Sequence, residues 1–224
     1  AGDGSANGVF YQIYANAAPT VSDVSASGDE DTPIILDAAV FEGGFVDPDG
    51  QTLQAIRIET LPAQGQLTLD GSPVTPGQEI SIADLQAGRL VYLGNADFNG
   101  AADFTWTGSD GISFAGNLVL AEITVNAVND APGLEAGPDA TIAEGSSLFR
   151  TLNLSDPDGD VATFEVDFGE GDAPIVFNSG SATPSVSNLY ETEGTFTVKV
   201  TVDDNAGDPF SLATDTFTVP VSNA

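Results

Sequence analysis

The side chains with the clearest chemical potential are the aspartates of a tetrapeptide that occurs twice. The sequence "DPDG" stands at 47–50 and again at 156–159. Two carboxylates separated by one residue can bind a hard cation such as Ca²⁺, which takes about six to eight oxygen ligands in a flexible geometry. The same tetrapeptide is a good type I turn, so one copy alone could be purely structural. Its repetition favours a metal-binding role.

Other oxygen-bearing side chains accompany the two copies in the same order along the chain. Asn16 precedes the first copy, and the pair Asn129 and Asp130 precedes the second. The spacing from Asn16 to Glu30 is nearly that from Asn129 to Glu144. These agreements indicate that the chain contains one arrangement of candidate ligands twice.

Composition limits the possible partners. The 224 residues include 34 acidic and 4 basic side chains, giving a formal net charge of −30, which repels nucleic acid and anionic membranes and attracts cations. With 41% hydrophobic residues the chain can bury an ordinary core. Cysteine is absent, which excludes disulfides and thiolate metal sites. No apolar run is long enough to span a bilayer.

Hydrophobic alternation, interrupted by Gly, Pro, Asp and Asn, predicts an all-β fold with about seven short strands in each half. The first set lies near 20–26, 33–38, 52–60, 65–70, 88–93, 102–108 and 113–126, with one helical turn possible in "SIADLQAG" (81–88). The second lies near 133–143, 147–154, 161–168, 174–178, 184–189, 195–202 and 210–220. This pattern is typical of two tandem immunoglobulin-like β-sandwiches.

We place these sandwiches at 18–129 and 130–224. Residues 1–17 are expected to be the last strand or a remnant of a preceding domain, followed by a linker. The start, "AGDGSANG", has the features of neither a signal peptide nor a lipidation site, and we expect the chain to be an interior part of a longer one.

Topology distributes the acidic residues between the two ends of each sandwich, because successive loops alternate between its base and its top. The acids expected at the base are Glu30 and Asp97 in the first domain, and Glu144, Glu191 and Glu193 in the second. Those expected at the top are Asp47, Asp49 and Asp110 in the first, and Asp156, Asp158, Asp203 and Asp204 in the second. Asp203 and Asp204 diverge on an extended strand, so at most one of them is expected to bind an ion directly.

The first domain resembles bacterial cadherin-like repeats of large secreted repeats-in-toxin (RTX) adhesins. The resemblance is carried by "DEDTPIIL" (29–36), "DPDGQTL" (47–53), "GQLTLDGSPVTPGQEIS" (65–81), "LVYLGNADFNGAADFTWTGSDG" (90–111) and "VNAVNDAP" (125–132). The second domain resembles a polycystic-kidney-disease-type (PKD) domain through "DPDGD" (156–160), "FEVDFGEGD" (164–172) and "YETEGTFTVKVTVDDN" (190–205). Such domains usually have Trp where this chain has Val166.

The resemblance implies Ca²⁺ at the joint between the domains. The expected ligands are Glu30, Asp97, Asn129, Asp130, Asp156, Asp158 and Asp203, with Asp160 and Asp204 as further candidates. Equivalent ligands are expected in Asn16, Asp47, Asp49 and Asp110, and in Glu144, Glu191 and Glu193. The alternative for Glu144 is a solvated turn residue.

We therefore interpret the chain as a calcium-binding extender or adhesion module of a large bacterial adhesin, secreted or at the cell surface, with Ca²⁺ making the interdomain joint rigid. Its expected partners are the neighbouring tandem domains, while glycan or protein ligands would bind to other domains. The alternative is a carbohydrate- or peptide-binding module, for which the aromatic segment "GVFYQIYANAAP" (8–19) is the candidate.

The chain has few side chains that could act in catalysis. The chain has no His or Cys and a single lysine, Lys199, which excludes Ser–His and Cys–His nucleophiles. Paired carboxylates could serve a glycosidase, but these acids are expected on loops at domain ends, where a calcium site explains their clustering. The prediction is that the chain is not an enzyme.

Overall fold

A computed structural model describes residues 15–159, 162–205, 207 and 211–223. The chain divides into two compact units, residues 1–127 and 128–224, each with its own hydrophobic core. The described parts of both units are built from β-strands, with two short helices in the first. The prediction of two tandem all-β sandwiches is confirmed.

The first unit contains two main sheets. A five-stranded sheet has the order β2-β11-β10-β5-β8, a four-stranded sheet has the order β3-β9-β6-β7, and β1 pairs with β4. The bounds are β1 Thr20–Val21, β2 Val24–Asp29, β3 Ile34–Ile35, α1 Ala38–Glu42, β4 Phe45–Val46, β5 Ala55–Ile58, β6 Gln66–Leu69, β7 Ser72–Pro73, β8 Gln78–Ser81, α2 Ile82–Gln86, β9 Leu90–Leu93, β10 Gly100–Ser109 and β11 Val119–Asn126.

The predicted strand at 20–26 is in fact two strands that belong to different sheets. β1 pairs with β4, whereas β2 runs parallel to β11 in the five-stranded sheet. Val21 and Val24 are both buried, and their spacing of three breaks the alternation of a single strand. The chain therefore crosses from one sheet to the other at Ser22 and Asp23.

The two helices begin at different capping residues. The helical turn expected at 81–88 is α2, whose N-cap Ser81 accepts the N–H of Asp84 at 3.2 Å. The helix α1 was not predicted from the sequence. Its N-cap Asp37 accepts the N–H of Val40 at 3.3 Å, and Phe41 on its inner face packs edge-on against Trp106, with ring centroids 5.0 Å apart.

The second unit has a five-stranded sheet of order β13-β20-β19-β16-β17 and two pairs, β14-β18 and β12-β15. The bounds are β12 Gly133–Glu135, β13 Ile142–Ala143, β14 Ser146–Thr151, β15 Asn153–Ser155, β16 Ala162–Asp167, β17 Ile175–Ser179, β18 Ser185–Tyr190, β19 Gly194–Asp203 and β20 Leu212–Ser222. The expected strand at 133–143 is interrupted between β12 and β13. Val166, at the position of the usual Trp, is fully buried.

One long strand in each unit separates the acidic residues of the two ends. Asp97 precedes β10 and Asp110 follows it, so about ten residues of strand, or roughly 30 Å, lie between them. In the second unit β19 separates Glu193 from Asp204 in the same way. We call the end with Asp110 or Asp204 the upper end of its unit and the opposite end the lower end.

The two separate cores predict independent effects of core mutations. Trp106 is the single tryptophan and is fully buried in the first unit, so its fluorescence reports the unfolding of that unit alone. Phe164→Ala empties a fully buried position of the second core and should lower the free energy of unfolding of that unit by about 3–5 kcal/mol. Circular dichroism should show an earlier transition while the fluorescence midpoint stays fixed. A shifted fluorescence midpoint would contradict separate cores.

Candidate metal sites

At the upper end of the first unit, the segment before β1 is tied to two loops by its polar groups. The Nδ2 of Asn16 donates to Oδ2 of Asp110 at 2.9 Å and to Oγ of Ser113 at 3.1 Å. The next residue, Ala17, donates its backbone N–H to Oδ2 of Asp49 at 2.7 Å. We call Asn16, Asp47, Asp49 and Asp110 the first acidic site.

Asp47 shapes the loop that carries this site. Its Oδ1 accepts the N–H of Asp49 at 2.8 Å and of Gln51 at 3.2 Å, so the "DPDG" turn is closed by its own first side chain. The tetrapeptide is therefore a turn, as its composition predicts. The second oxygen of Asp47 takes no part in that turn.

Three oxygens in this region are buried and have no hydrogen-bond partner among the described residues. They are Oδ1 of Asn16, Oδ2 of Asp47 and Oε1 of Gln51. Asn16, Asp49 and Gln51 also line a cavity of about 360 Å³. A buried oxygen without a donor is costly, and a cation in the cavity would satisfy it. Gln51 was not among the predicted ligands, because a neutral amide after the "DPDG" turn gives no charge signal.

Asp110 is the most deeply buried acid of the first acidic site, with 5% of its surface exposed. The backbone N–H of Ser113, with the Asn16 side chain and the N–H of Ile112, lowers the pKa of Asp110 from 3.8 to about 2, against the opposing effect of desolvation. Asp110 is therefore an anion at neutral pH, although it is surrounded by protein.

The upper end of the second unit repeats this arrangement. The Nδ2 of Asn129 donates to Oδ2 of Asp204 at 3.1 Å, and the N–H of Asp130 donates to Oδ2 of Asp158 at 2.8 Å. Oδ1 of Asp156 accepts the N–H of Asp158 at 3.0 Å, and its Oδ2 is buried without a hydrogen-bond partner in the described part of the unit. We call Asn129, Asp130, Asp156, Asp158 and Asp204 the second acidic site.

The two acidic sites share three contacts and differ at two positions. Each has an Asn-to-Asp side-chain bond, a backbone N–H donated to the second "DPDG" aspartate, and a first aspartate that closes its own turn. Ala17 stands where the second site has Asp130. Gln51 follows its turn where the second copy has Asp160, which lies outside the described residues.

The structure places Asp204, rather than Asp203, against Asn129. Asp204 is 3% exposed, whereas Oδ1 of Asp203 accepts the N–H of Asn205 at 2.8 Å at the end of β19. Successive side chains on a strand point to opposite faces, so only one of the two can face the site. The sequence pattern favoured Asp203 with Asp204 as a further candidate, and the equal charge of the two residues gave no means of telling them apart.

At the lower end of the first unit, Glu30 and Asp97 lie near a third acid. The buried Glu30 donates its backbone N–H to the carbonyl of Asn126 at 2.9 Å. Asp97 donates its N–H to Oδ1 of Asp31 at 3.3 Å, and one carboxylate oxygen of each lies within 4.8 Å of the other. Asp31 was not among the predicted metal ligands. Asp31 and Asp97 both have a positive φ, 55° and 56°, which non-glycine residues seldom adopt.

The remaining candidates lie at the lower end of the second unit. Glu144 donates its backbone N–H to the carbonyl of Ser222 at 2.9 Å, and Glu191 and Glu193 are exposed just before β19. In the described ranges, the carboxylates of these three residues do not form a group within ligand distance. Of the aromatic segment 8–19, residues 8–14 lie outside the described residues.

The carboxylates of neither acidic site all lie within 4.8 Å of one another in the part of the chain that the structure describes. In each site an amide Nδ2 is directed at the buried aspartate. Ligation of one ion by every carboxylate of a site therefore requires these side chains to move closer together.

Comparison with protein families assigns both units. Residues 15–126 match the family model of a cadherin-like domain, and residues 129–219 match that of a PKD domain. The chain therefore contains a cadherin-like domain followed by a PKD domain. Cadherin-like and PKD domains are typical of extracellular proteins and are typically non-catalytic. In the ranges that the structure describes, no helix combines the length and apolar character needed to cross a membrane.

Solved structures show similarity at low sequence identity. The PKD domain of an M14-like peptidase from a Thermoplasmatales archaeon is 20% identical, with a TM-score of 0.33, over 42% of this chain and 99% of that domain. The fibronectin type III-like modules of Clostridium thermocellum CbhA are 13% identical, with a TM-score of 0.34, over 91% of this chain and 92% of theirs. No curated protein shows significant sequence similarity.

The hydrogen bonds of Asp110 predict a pH dependence of the cadherin-like domain. Its pKa in the folded state, about 2, lies below the unfolded value of 3.8, so its contribution to stability is complete above about pH 4 and is lost as the pH falls through 2. Asp110→Asn should therefore lower the Trp106 fluorescence midpoint at neutral pH, and the difference from the parent should shrink towards pH 2. A carboxyl titration by nuclear magnetic resonance with its midpoint near 3.8 would contradict this.

Proposed function

We propose that the chain is a calcium-binding extender module of a large bacterial adhesin, secreted or at the cell surface, in which Ca²⁺ makes the connection between consecutive domains rigid. The observation that carries the proposal is the repetition of one acidic site in two domains of different families. In both, a residue pair before the domain bonds to the same two loops. A turn needs only one aspartate of "DPDG", whereas two copies that also share an Asn and a buried Asp suggest a common ligand.

Electrostatics supports a cation as that ligand. Two unit charges about 5 Å apart repel by roughly 0.8 kcal/mol even in bulk water, and more where protein excludes water. The second acidic site contains four aspartates, Asp130, Asp156, Asp158 and Asp204, and no basic residue. Carboxylate, amide and backbone oxygens from irregular loops are the ligands that Ca²⁺ accepts.

The proposed effect on the connection follows from where the ligands lie in the sequence. Asn129 and Asp130 precede β12 and bond to loops of the PKD domain that follows them. An ion bound to these residues would fix the connecting segment to that domain. The convergence of Glu30 and Asp97 with the same ion stays a prediction. Sites of ordinary extracellular strength, about 10⁻⁴ to 10⁻³ M, fill outside the cell, where the two families are typical. On this proposal the module binds and positions domains, and it is not an enzyme.

Calcium should raise the melting temperature of both domains, because an ion bound only by the folded state stabilises it by mass action. At 100 times the dissociation constant the gain is about 2.7 kcal/mol at each site. Mg²⁺ should substitute poorly, since it prefers a smaller octahedral shell and retains its waters. The measurement is thermal unfolding in EDTA and in millimolar Ca²⁺ or Mg²⁺, followed by circular dichroism and by Trp106 fluorescence.

Two matched variants assign the effect to sites. Asp156→Asn with Asp158→Asn should remove the calcium response of the PKD domain and leave that of the Trp106 signal, while Asp47→Asn with Asp49→Asn should do the reverse. Hydrogen exchange at the N–H of Asp130, which donates to Asp158, should slow when Ca²⁺ binds. Identical unfolding curves in EDTA and in calcium would contradict the proposal. An equal response to Mg²⁺ would show that the stabilisation comes from nonspecific charge screening.

The two differing positions predict that the second acidic site fills at lower calcium concentration than the first. Ligand charge tunes calcium affinity, and the first site has Ala17 and Gln51 in place of Asp130 and Asp160. Amide resonances of Ser113 and Gly159, one beside each site, should therefore titrate at different calcium concentrations. Ala17→Asp with Gln51→Asp should move the Ser113 midpoint towards that of Gly159. Coincident midpoints in the parent chain, or no movement in the variant, would contradict the ranking.

A further inference from the structure

The edge strand β17 of the PKD domain lacks the features that usually protect such strands. It pairs with β16 on one side, and no described strand pairs with its other side. Its sequence, "IVFNS", contains no charge and no proline. Edge strands normally carry a charge, a proline or a bulge because their open backbone groups attract other chains. In the first unit, the edge strand β8 does carry a charge, at Glu79.

Exposed apolar side chains cluster at this edge. Ile175 and Val176 of β17 are 43% and 64% exposed. On the neighbouring pair β14-β18, Phe149 is 78% exposed and lies directly opposite Ser187 in the register. Ser187 and Ile175 line the same surface cavity, which therefore borders both β18 and β17. Val176 faces the opposite side of the sheet from Ile175, so the open edge presents an exposed apolar side chain on each of its faces.

The shared cavity is acidic. Its volume is about 220 Å³, and Asp167, Glu170 and Asp172 contribute to its wall. Oε2 of Glu170 accepts from Nδ2 of Asn188 at 2.6 Å. None of the four basic residues of the chain lines the cavity. A positively charged group would therefore meet three carboxylates there, directly beside the apolar edge.

We propose that β17 is a docking edge for an extended segment of a partner protein, in which apolar residues alternate with polar ones and a lysine or arginine stands at one end. The segment adds a strand to the five-stranded sheet, and its backbone bonds to the open groups of β17. One apolar side chain covers Val176, and the terminal cation enters the cavity of Asp167, Glu170 and Asp172. Five residues of β17 accommodate about 17 Å of extended chain.

Charge distinguishes this occupant from a second copy of the chain. Two copies, each with a net charge of −30, repel one another. The four basic residues of the chain are also committed to its own fold. Arg57, Arg150 and Lys199 lie within the paired strands β5, β14 and β19, and Arg89 forms ion pairs with Asp70 and Asp84. Among the described residues, a second copy therefore offers no unpaired extended segment with a basic side chain, whereas a foreign basic segment complements both the edge and the cavity.

The test uses a fluorescein-labelled heptapeptide that alternates valine and threonine and ends in lysine. We expect saturable binding to the whole chain and slower hydrogen exchange at the amides of Val176, Phe177 and Asn178. The same peptide with glutamate in place of lysine should bind more weakly. Val176→Lys places a charge on the edge and should abolish binding, whereas Glu135→Gln, an exposed carboxylate away from the cavity, is the matched control and should not change it.

A second pair of variants isolates the cavity. Glu170→Gln and Asp172→Asn should each weaken binding of the lysine peptide about two- to fivefold, as loss of an exposed ion pair does, and leave the glutamate peptide unaffected or slightly stronger. Equal binding of the two peptides, or exchange protection away from β17, would overturn the proposal. So would self-association of the chain through this edge in sedimentation, or displacement of the peptide by millimolar calcium, which would make the cavity a metal site.

Discussion

Repulsion among carboxylates is the constraint to which the loops of both domains respond. With 34 acidic and 4 basic side chains, the chain cannot pair most of its carboxylates with cations of its own. Instead, backbone N–H groups act as donors to Asp47, Asp110, Asp156 and Asp158. These bonds fix the turns and at the same time hold anions close together. A turn residue and a metal ligand are therefore not alternatives here, because one carboxylate oxygen closes the turn while the other stays directed elsewhere.

Two domains of different families build their upper ends in the same way. In each, a ten-residue strand, β10 or β19, delivers a buried aspartate immediately beyond its last residue. The segment before the first strand then supplies an amide that donates to it. The length and pairing of these strands rest on the cores around Trp106 and Phe164. The position of the acidic sites thus depends on core packing, while their chemistry depends on loop residues.

The sequence predicted nearly all of the strands and the correct end for each acid, because alternation and chain reversal depend on local pattern. The sequence did not predict the direction in which a side chain points. Asp203 and Asp204 are the same residue type, and the position at which β19 ends decides which of the two is buried. The helix α1 was missed because the sequence "DAAVFE" is compatible with a strand as well as a helix. The N-cap formed by Asp37 favours the helix. Asp31 was missed because its contact with Asp97 joins loops that are distant in sequence, and Gln51 was missed because a neutral amide gives no charge signal.

In the PKD domain, the acidic site and the edge strand are connected through one residue. The hydroxyl of Thr163 on β16 lies 2.9 Å from Oδ1 of Asn178 on β17 and 3.0 Å from Oδ1 of Asn205. Asn205 follows Asp204, whose carboxylate belongs to the second acidic site. A hydroxyl has one proton to donate, so it bonds to one of the two amides at a time. This hydroxyl therefore links the residue after Asp204 to β17, the edge strand of the five-stranded sheet.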